Sequence, residues 1–190
     1  MLGISADIFT LVEKLPKQIE LVRILGGLAP DSDEPMPDET RDYVIRNWQQ
    51  IQKDIPDTRF NYDFWKHCQP RRSTYPACRA VLAAKKQGIQ YDEAMTYSIQ
   101  RAYYLEARNP SDNKTLIELA NEVGLNRTQF RQDLISDEIN QQLFNELKIA
   151  RKLQLNSFPG FILTSDTQSM HIQPDYHHAS QILNKIHNVV

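Results

Sequence analysis

The chain has 190 residues, of which 41% are hydrophobic and 24% charged, and 22 basic against 24 acidic side chains leave a formal net charge of −2. That length and balance suit one soluble domain with a sizeable core and a smaller attached lobe, and no arm or helix gathers the positive charge that a nucleic-acid partner would require. No run approaches the roughly 18 consecutive apolar residues that cross a bilayer, and Met1 is not followed by a basic and then apolar signal segment, so no membrane partner is expected and the cytoplasm is the expected location.

In chain order, Ile4, Ile8, Leu11, Val12 and Leu15 recur at helical spacing and Pro16 stops the pattern, which predicts a first helix. The run Ile19 to Leu28 is apolar and β-branched, with Glu20 and Arg23 as its charges and Gly26-Gly27 near its end, and reads as a buried strand. Ala29 to Asp38 holds Pro30, Pro35 and Pro37 among acidic residues and must be a surface loop. From Asp38, taken as an N-cap, to about Leu155 the pattern is helical throughout.

Within that block Val44, Trp48, Ile51 and Ile55 share one face, and Pro56 ends their helix. Ser73 is placed to cap a helix with Cys78, Val81 and Leu82 inward and Gly88 beyond its end. Met95, Ile99, Ala102 and Tyr103 line the next helix, and Leu116, Leu119, Ala120 and Val123 the one after, which Gly124 closes. Asn126 with Gln129 resembles a capping box, and Ser136 opens a long amphipathic helix carrying Ile139, Leu143, Leu147 and Ala150. Phe161–Thr164 and Ser169–Ile172 straddle Ser165-Asp166-Thr167-Gln168 as a hairpin. Ala179, Ile182, Leu183 and Ile186 then supply a last helix.

Few residues carry chemistry. Cys68 and Cys78 are too few for a disulfide scaffold and lack His or Cys neighbours at zinc spacing; they form a redox pair or a regulatory disulfide or, in Cys78's case beside Val81 and Leu82, small hydrophobic packing. His177-His178 are adjacent, do not share a helix face and have no carboxylate at ligand spacing, so they read as solvated and no metal is expected. Arg71-Arg72 ahead of a helix could receive an anion, against the usual reading of surface charge. Met95 and Tyr103-Tyr104 read as packing residues.

The order is helix, strand, helical block, strand, strand, helix, which becomes β-α-β, helical insertion, β-β-α once a strand is prefixed. Phe158-Pro159-Gly160 ahead of Phe161-Ile162-Leu163 resembles the cis-proline corner of a thioredoxin fold. With Leu25-Gly26-Gly27-Leu28-Ala29-Pro30, with Gln69 to Ala80 and with Gln100 to Glu106, it resembles the DsbA-like thioredoxin-fold family, in the FrnE-type subgroup of predicted protein-disulfide isomerases. The likeness runs over residues 2 to 188. It implies an α/β thioredoxin-like fold with a large helical insertion, the thioredoxin-like part at 1–30 and 156–190 and the helical lobe with its connecting helix at 38–155.

The resemblance implies thiol-disulfide exchange with protein or peptide thiols and disulfides, without a cofactor, and a substrate groove at Phe158 and Pro159. That chemistry needs a thiolate at a helix N-terminus, where the dipole and free N–H groups depress its pKa, and a second cysteine one turn on to resolve the mixed disulfide. No Cys-x-x-Cys occurs in the chain, so no catalytic residue is assigned. Leu2-Gly3-Ile4 resembles the family's run after the second cysteine, with Met1 where that cysteine is expected, which predicts an N-terminally truncated domain lacking the motif and the first strand. In the family fold that strand is central. Each buried unpaired backbone group costs about 1 to 3 kcal/mol, against a domain's total of roughly 5 to 15 kcal/mol, so the chain is expected either to fold poorly or to have the slot filled by a homodimer partner, a donated strand or collapse of its neighbours. Three functions follow: a disulfide oxidoreductase or isomerase homologue, inactive as written; a pseudoenzyme that binds peptides at Phe158-Pro159; or a glutathione-dependent transferase or isomerase, for which Ser5 lies about one turn too far into the first helix.

Overall fold

The computed structural model describes residues 14–155, 159–165, 169–173 and 179–187. The first predicted helix as far as Val12, Met1 and Ser5 included, Phe158 and the His177-His178 pair lie outside them. Two compact units divide the chain, one of residues 1–26 and 147–190, the other of residues 27–146.

The larger unit opens with α1 (Asp38–Asp54), where Pro37 rather than Asp38 holds the N-cap position and Asp38 and Glu39 enrich the first turn. The short α2 (Phe64–His67) follows, then α3 (Tyr75–Gln87), α4 (Gln90–Leu105), α5 (Asn113–Glu122) and α6 (Arg127–Leu134). α7 (Asp137–Lys152) carries the unit boundary within its length. The core of the larger unit gathers Ala80, Ala83 and Ala84 of α3, Met95 and Ala102 of α4, Leu116, Leu119 and Ala120 of α5, and Phe130 and Leu134 of α6. The alanine stripe on α3 lets the neighbouring helices approach closely. A second cluster stacks Phe60 on Trp48, at 4.7 Å between ring centroids, and sets Tyr62, Phe64, Trp65, Tyr103 and Tyr104 around the same indole.

The helix ends follow local chemistry with two departures. Gly124 sits at φ 90° past α5, where a side chain would be strained, and Leu125 N–H donates to the Ala120 carbonyl. Ser136 Oγ accepts the Ile139 N–H, as expected for the start of α7. Asn126 Oδ1 accepts the Gln129 N–H at 3.0 Å, but the return bond of a capping box is not made. Gln129 Nε2 donates to Asp133 instead, and the Asn126 N–H is taken by Gln87 Oε1 at 2.8 Å. The expected Ser73 cap is also not made: α3 starts at Tyr75, its N-cap residue is Thr74, and Thr74 Oγ1 is spent on Ala29, accepting its N–H at 2.9 Å and donating to its carbonyl. Long-range partners outbid the local ones at both positions.

In the smaller unit β1 (Phe161–Thr164) pairs antiparallel with β2 (Ser169–Ile172) in the register Phe161 to Ile172 and Thr164 to Ser169, the predicted hairpin. Ile172 and Ile182, Leu183 and Ile186 of α8 (Ala179–His187) are buried together, with Leu15, Ile19, Phe161, Leu163 and Met170 packed on them. The predicted strand at Ile19 to Leu28 is not formed. Its backbone is irregular, and Leu21, Val22 and Leu28 are 40%, 67% and 67% exposed. Strand propensity becomes a strand only where a neighbouring ladder takes up the backbone groups, and the ladder among the described residues joins β1 to β2 alone. Ile19 N–H instead donates to the Pro16 carbonyl in a turn.

Candidate functional site

Pro159 is half-buried and stands two residues ahead of β1, whose pairing with β2 fixes where the proline leads into the sheet. Its predicted companion Phe158 lies outside the described residues.

The two cysteines sit in different surroundings and neither is in a disulfide. Cys68 follows α2 directly, and its N–H donates to the Phe64 carbonyl. Its Sγ–H donates to the Ala107 carbonyl at 3.0 Å, and Ala107 is itself in the left-handed region at φ 53°. Burial, and then the negative charge of Asp112, push the Cys68 thiol up. Cys78 lies a full turn into α3, where its N–H is already bonded to the Thr74 carbonyl, so it does not occupy the first-turn position that stabilises a thiolate. Burial pushes its thiol up to about 11, with a backbone hydrogen bond from Gly27 pulling the other way and Glu146 adding to the rise. Both environments favour the neutral thiol, the reverse of what an exchange nucleophile needs.

A third feature escaped sequence reasoning. Within the larger unit a polar cavity of about 590 Å³ is bordered by Asp31, Arg71, Ser73, Arg79 and the first turn of α5. Arg79 forks onto Asp31, Nη2 to Oδ1 at 2.6 Å and Nη1 to Oδ2 at 2.8 Å, and that hydrogen-bonded pairing holds the Asp31 carboxyl below its usual range. Arg71 Nη2 donates to the Ser111 carbonyl at 2.7 Å and to Asp112 Oδ1 at 2.5 Å. Arg71 is therefore half-buried and paired, while Arg72 beside it is exposed, as the surface-charge reading expected of both. The doublet was the visible signal, but its partner Asp112 is 41 positions away and could not be read from it. Among the described residues no group of His, Cys, Asp or Glu is arranged to hold a metal, and no helix is long and apolar enough to cross a membrane.

A family model described as Thioredoxin matches residues 10–180. The ClpXP adapter protein SpxH of Bacillus subtilis (strain 168) is 29% identical over 91 residues, 48% of this chain and 30% of its own length. SpxH of Halalkalibacterium halodurans is 26% identical over 104 residues, 55% of this chain and 34% of its own length. The matches thus span about a third of those curated relatives. Among solved structures, a Nitrosomonas europaea protein named as a candidate disulfide isomerase superposes with a TM-score of 0.79 at 19% identity, covering 98% of this chain and 91% of its own. The cytosolic disulfide reductase DsbM of Pseudomonas aeruginosa does so at 0.71 and 20% identity, over 98% and 88%. At those identities the likeness establishes the fold.

Proposed function

Because the chain belongs to the thioredoxin family whose model spans residues 10–180 and has the thioredoxin-like fold of DsbA-type proteins with a helical insertion, we propose that it is a thiol-disulfide oxidoreductase homologue that engages protein or peptide thiols without catalysing their exchange. One observation carries this reading: the chain has no Cys-x-x-Cys, and both cysteines it does have are held as neutral thiols, Cys78 at about 11. A thiol with that pKa leaves roughly one molecule in ten thousand as thiolate at neutral pH, too few to sustain exchange. The groove at Phe158 and Pro159 then serves binding. The SpxH relatives, named as ClpXP adapters, support a binding role on such a fold, and the cytosolic DsbM supports placing this chain in the cytoplasm.

Insulin reduction by the 190-residue protein is expected to stay at the uncatalysed rate. An aromatic disulfide reagent at neutral pH is expected to label Cys78 at least tenfold more slowly in the native than in the unfolded protein. Catalytic turnover of insulin that Cys78→Ser or Cys68→Ser abolishes would overturn the proposal and make these thiols a redox pair.

We assign residues 1–30 and 156–190 to the thioredoxin-like domain and 38–155 to the helical lobe. The exposed apolar side chains of Leu21, Val22 and Leu28 support a homodimer or donated strand as their cover. Light scattering is expected to give twice the 22.1 kDa chain mass, falling to one chain in Val22→Asp. A monomer at all concentrations, with no gain in strand content on adding peptide, removes this part of the reading.

A further inference from the structure

We propose that residues 30–36 form a hinged strap over the polar cavity of the larger unit, latched shut by the fork of Arg79 onto Asp31. Pro30 and Pro35 have no N–H to give, so the segment cannot build a ladder along the neighbouring run 70–73. Its backbone is tied at its two ends instead, and unequally. At the near end Ala29 is fixed four ways: its N–H donates to Thr74 Oγ1, and its carbonyl accepts from Thr74 Oγ1 and from the N–H groups of Thr74 and Tyr75. At the far end a single bond runs from Met36 N–H to the Pro70 carbonyl at 2.8 Å, where Pro35 bridges Arg71. Between the ends Glu34 N–H turns to Ser32 Oγ, and no backbone group of residues 31–34 bonds to another segment among the described residues.

The latch is the one side-chain hydrogen bond or ion pair that residues 30–36 make to another segment among the described residues. Arg79 and Asp31 meet through two parallel bonds, at 2.6 and 2.8 Å, a geometry more specific and stronger than a single contact. The Arg79 side chain is 13% exposed and rides on α3, whereas the Asp31 side chain is 54% exposed. The guanidinium is therefore the fixed half of the latch and the carboxylate the half that moves. Asp31, Ser32 and Asp33 border the cavity of about 590 Å³ from the strap, and Arg71, Pro76 and Arg79 border it from the run 71–79. When the fork releases, the strap swings about Ala29 by breaking the Met36 bond, which opens that side of the cavity and uncovers the Arg79 guanidinium. Segments with few backbone bonds to the rest of a domain open locally while its core stays shut. The device goes beyond the thiol reading and depends on none of it.

Amide hydrogen exchange of the full chain tests the strap. In Asp31→Ala the Met36 amide is expected to exchange about tenfold faster, the usual worth of a hydrogen bond to a charged group. The Ala29 amide at the hinge and the Phe130 amide in the core are expected to keep their native rates. Arg79→Gln is expected to give the same increase, and the double variant no more than either alone, because both remove one pairing. Asp33→Ala, on the strap but outside the fork, is expected to change nothing. An unchanged Met36 rate in both Asp31→Ala and Arg79→Gln overturns the latch. Acceleration of Ala29 or Phe130 as large as that of Met36 overturns the hinge, because the opening then reaches beyond the strap. Asp31 is exposed, so Asp31→Ala keeps the fold.

Discussion

Trp48→Ala is expected to destabilise the protein by about 3 to 5 kcal/mol, the usual range for emptying a large aromatic site. The side chain is 2% exposed, and its indole is the common neighbour of six other rings. Removing it leaves the flat face of Phe60 unstacked and Tyr103 and Tyr104, which meet it edge-on or tilted at 5.4 and 5.7 Å, facing a void. Each aromatic pair adds about 0.5 to 1.5 kcal/mol beyond area burial, and the pairs share one partner, so their losses overlap rather than add. The cluster joins α1 to the segment 60–65 and to α4, so its loss also loosens the bond from Asn61 N–H to the Tyr104 carbonyl. Urea unfolding followed by circular dichroism checks the value. Tyr97→Ala, at a residue 46% exposed, serves as the control and is expected to change stability by no more than about 0.5 kcal/mol. A Trp48→Ala loss below about 1 kcal/mol would mean the rings repack without it.

Stability is expected to fall steeply as pH rises above 9. Cys78 titrates near 11 in the native protein against an ordinary thiol value of 9.0. In that window the unfolded chain has already released the proton while the folded chain still holds it, so the unfolded state is the one favoured by removing protons. The contribution of the buried neutral thiol is thus complete below pH 9 and lost between 9 and 11, by about 3 kcal/mol at the pKa shift involved. Tyr103 and Tyr104 act in the same direction further up, since burial raises both phenols above their ordinary range. Lys86, raised by its hydrogen bonds to Glu138 and Asp133, also loses its stabilising charge as pH climbs. Denaturant midpoints from pH 8 to 11 measure the slope, and Cys78→Ala should flatten its first part between 9 and 11. An unchanged slope in that variant would show that Cys78 is open to hydroxide in the native protein.

The helices were legible because their information is local. Leu116 and Leu119 lie three positions apart and Ile139 and Leu143 four, and these residues, with Trp48 and Met95, are all buried in the helices expected of them. The hairpin was equally local, four residues against four across a polar turn. The capping positions show where locality ends. Asn126 makes its predicted bond, whereas its own N–H, which the reciprocal bond would have used, goes to Gln87, 39 positions earlier, and Thr74 displaces Ser73 because Ala29, 45 positions earlier, offers it both a donor and an acceptor. The run Ile19 to Leu28 fails for the same reason in reverse. Its composition is that of a buried strand, but a strand's backbone bonds come from another segment, and composition cannot supply one.

The candidate site divides along this line. The lack of a Cys-x-x-Cys, the place of Pro159 ahead of an apolar strand and the presence of two isolated cysteines are properties of the chain order alone. What those cysteines can do is not, because a thiol's pKa is set by the water and charge removed around it, and Cys78 meets Gly27 and Glu146 only through the fold. The pairing of Arg71 with Asp112 is likewise a tertiary product: the two lie 41 positions apart, and the fold brings the guanidinium to a carboxylate that would otherwise cap the start of α5.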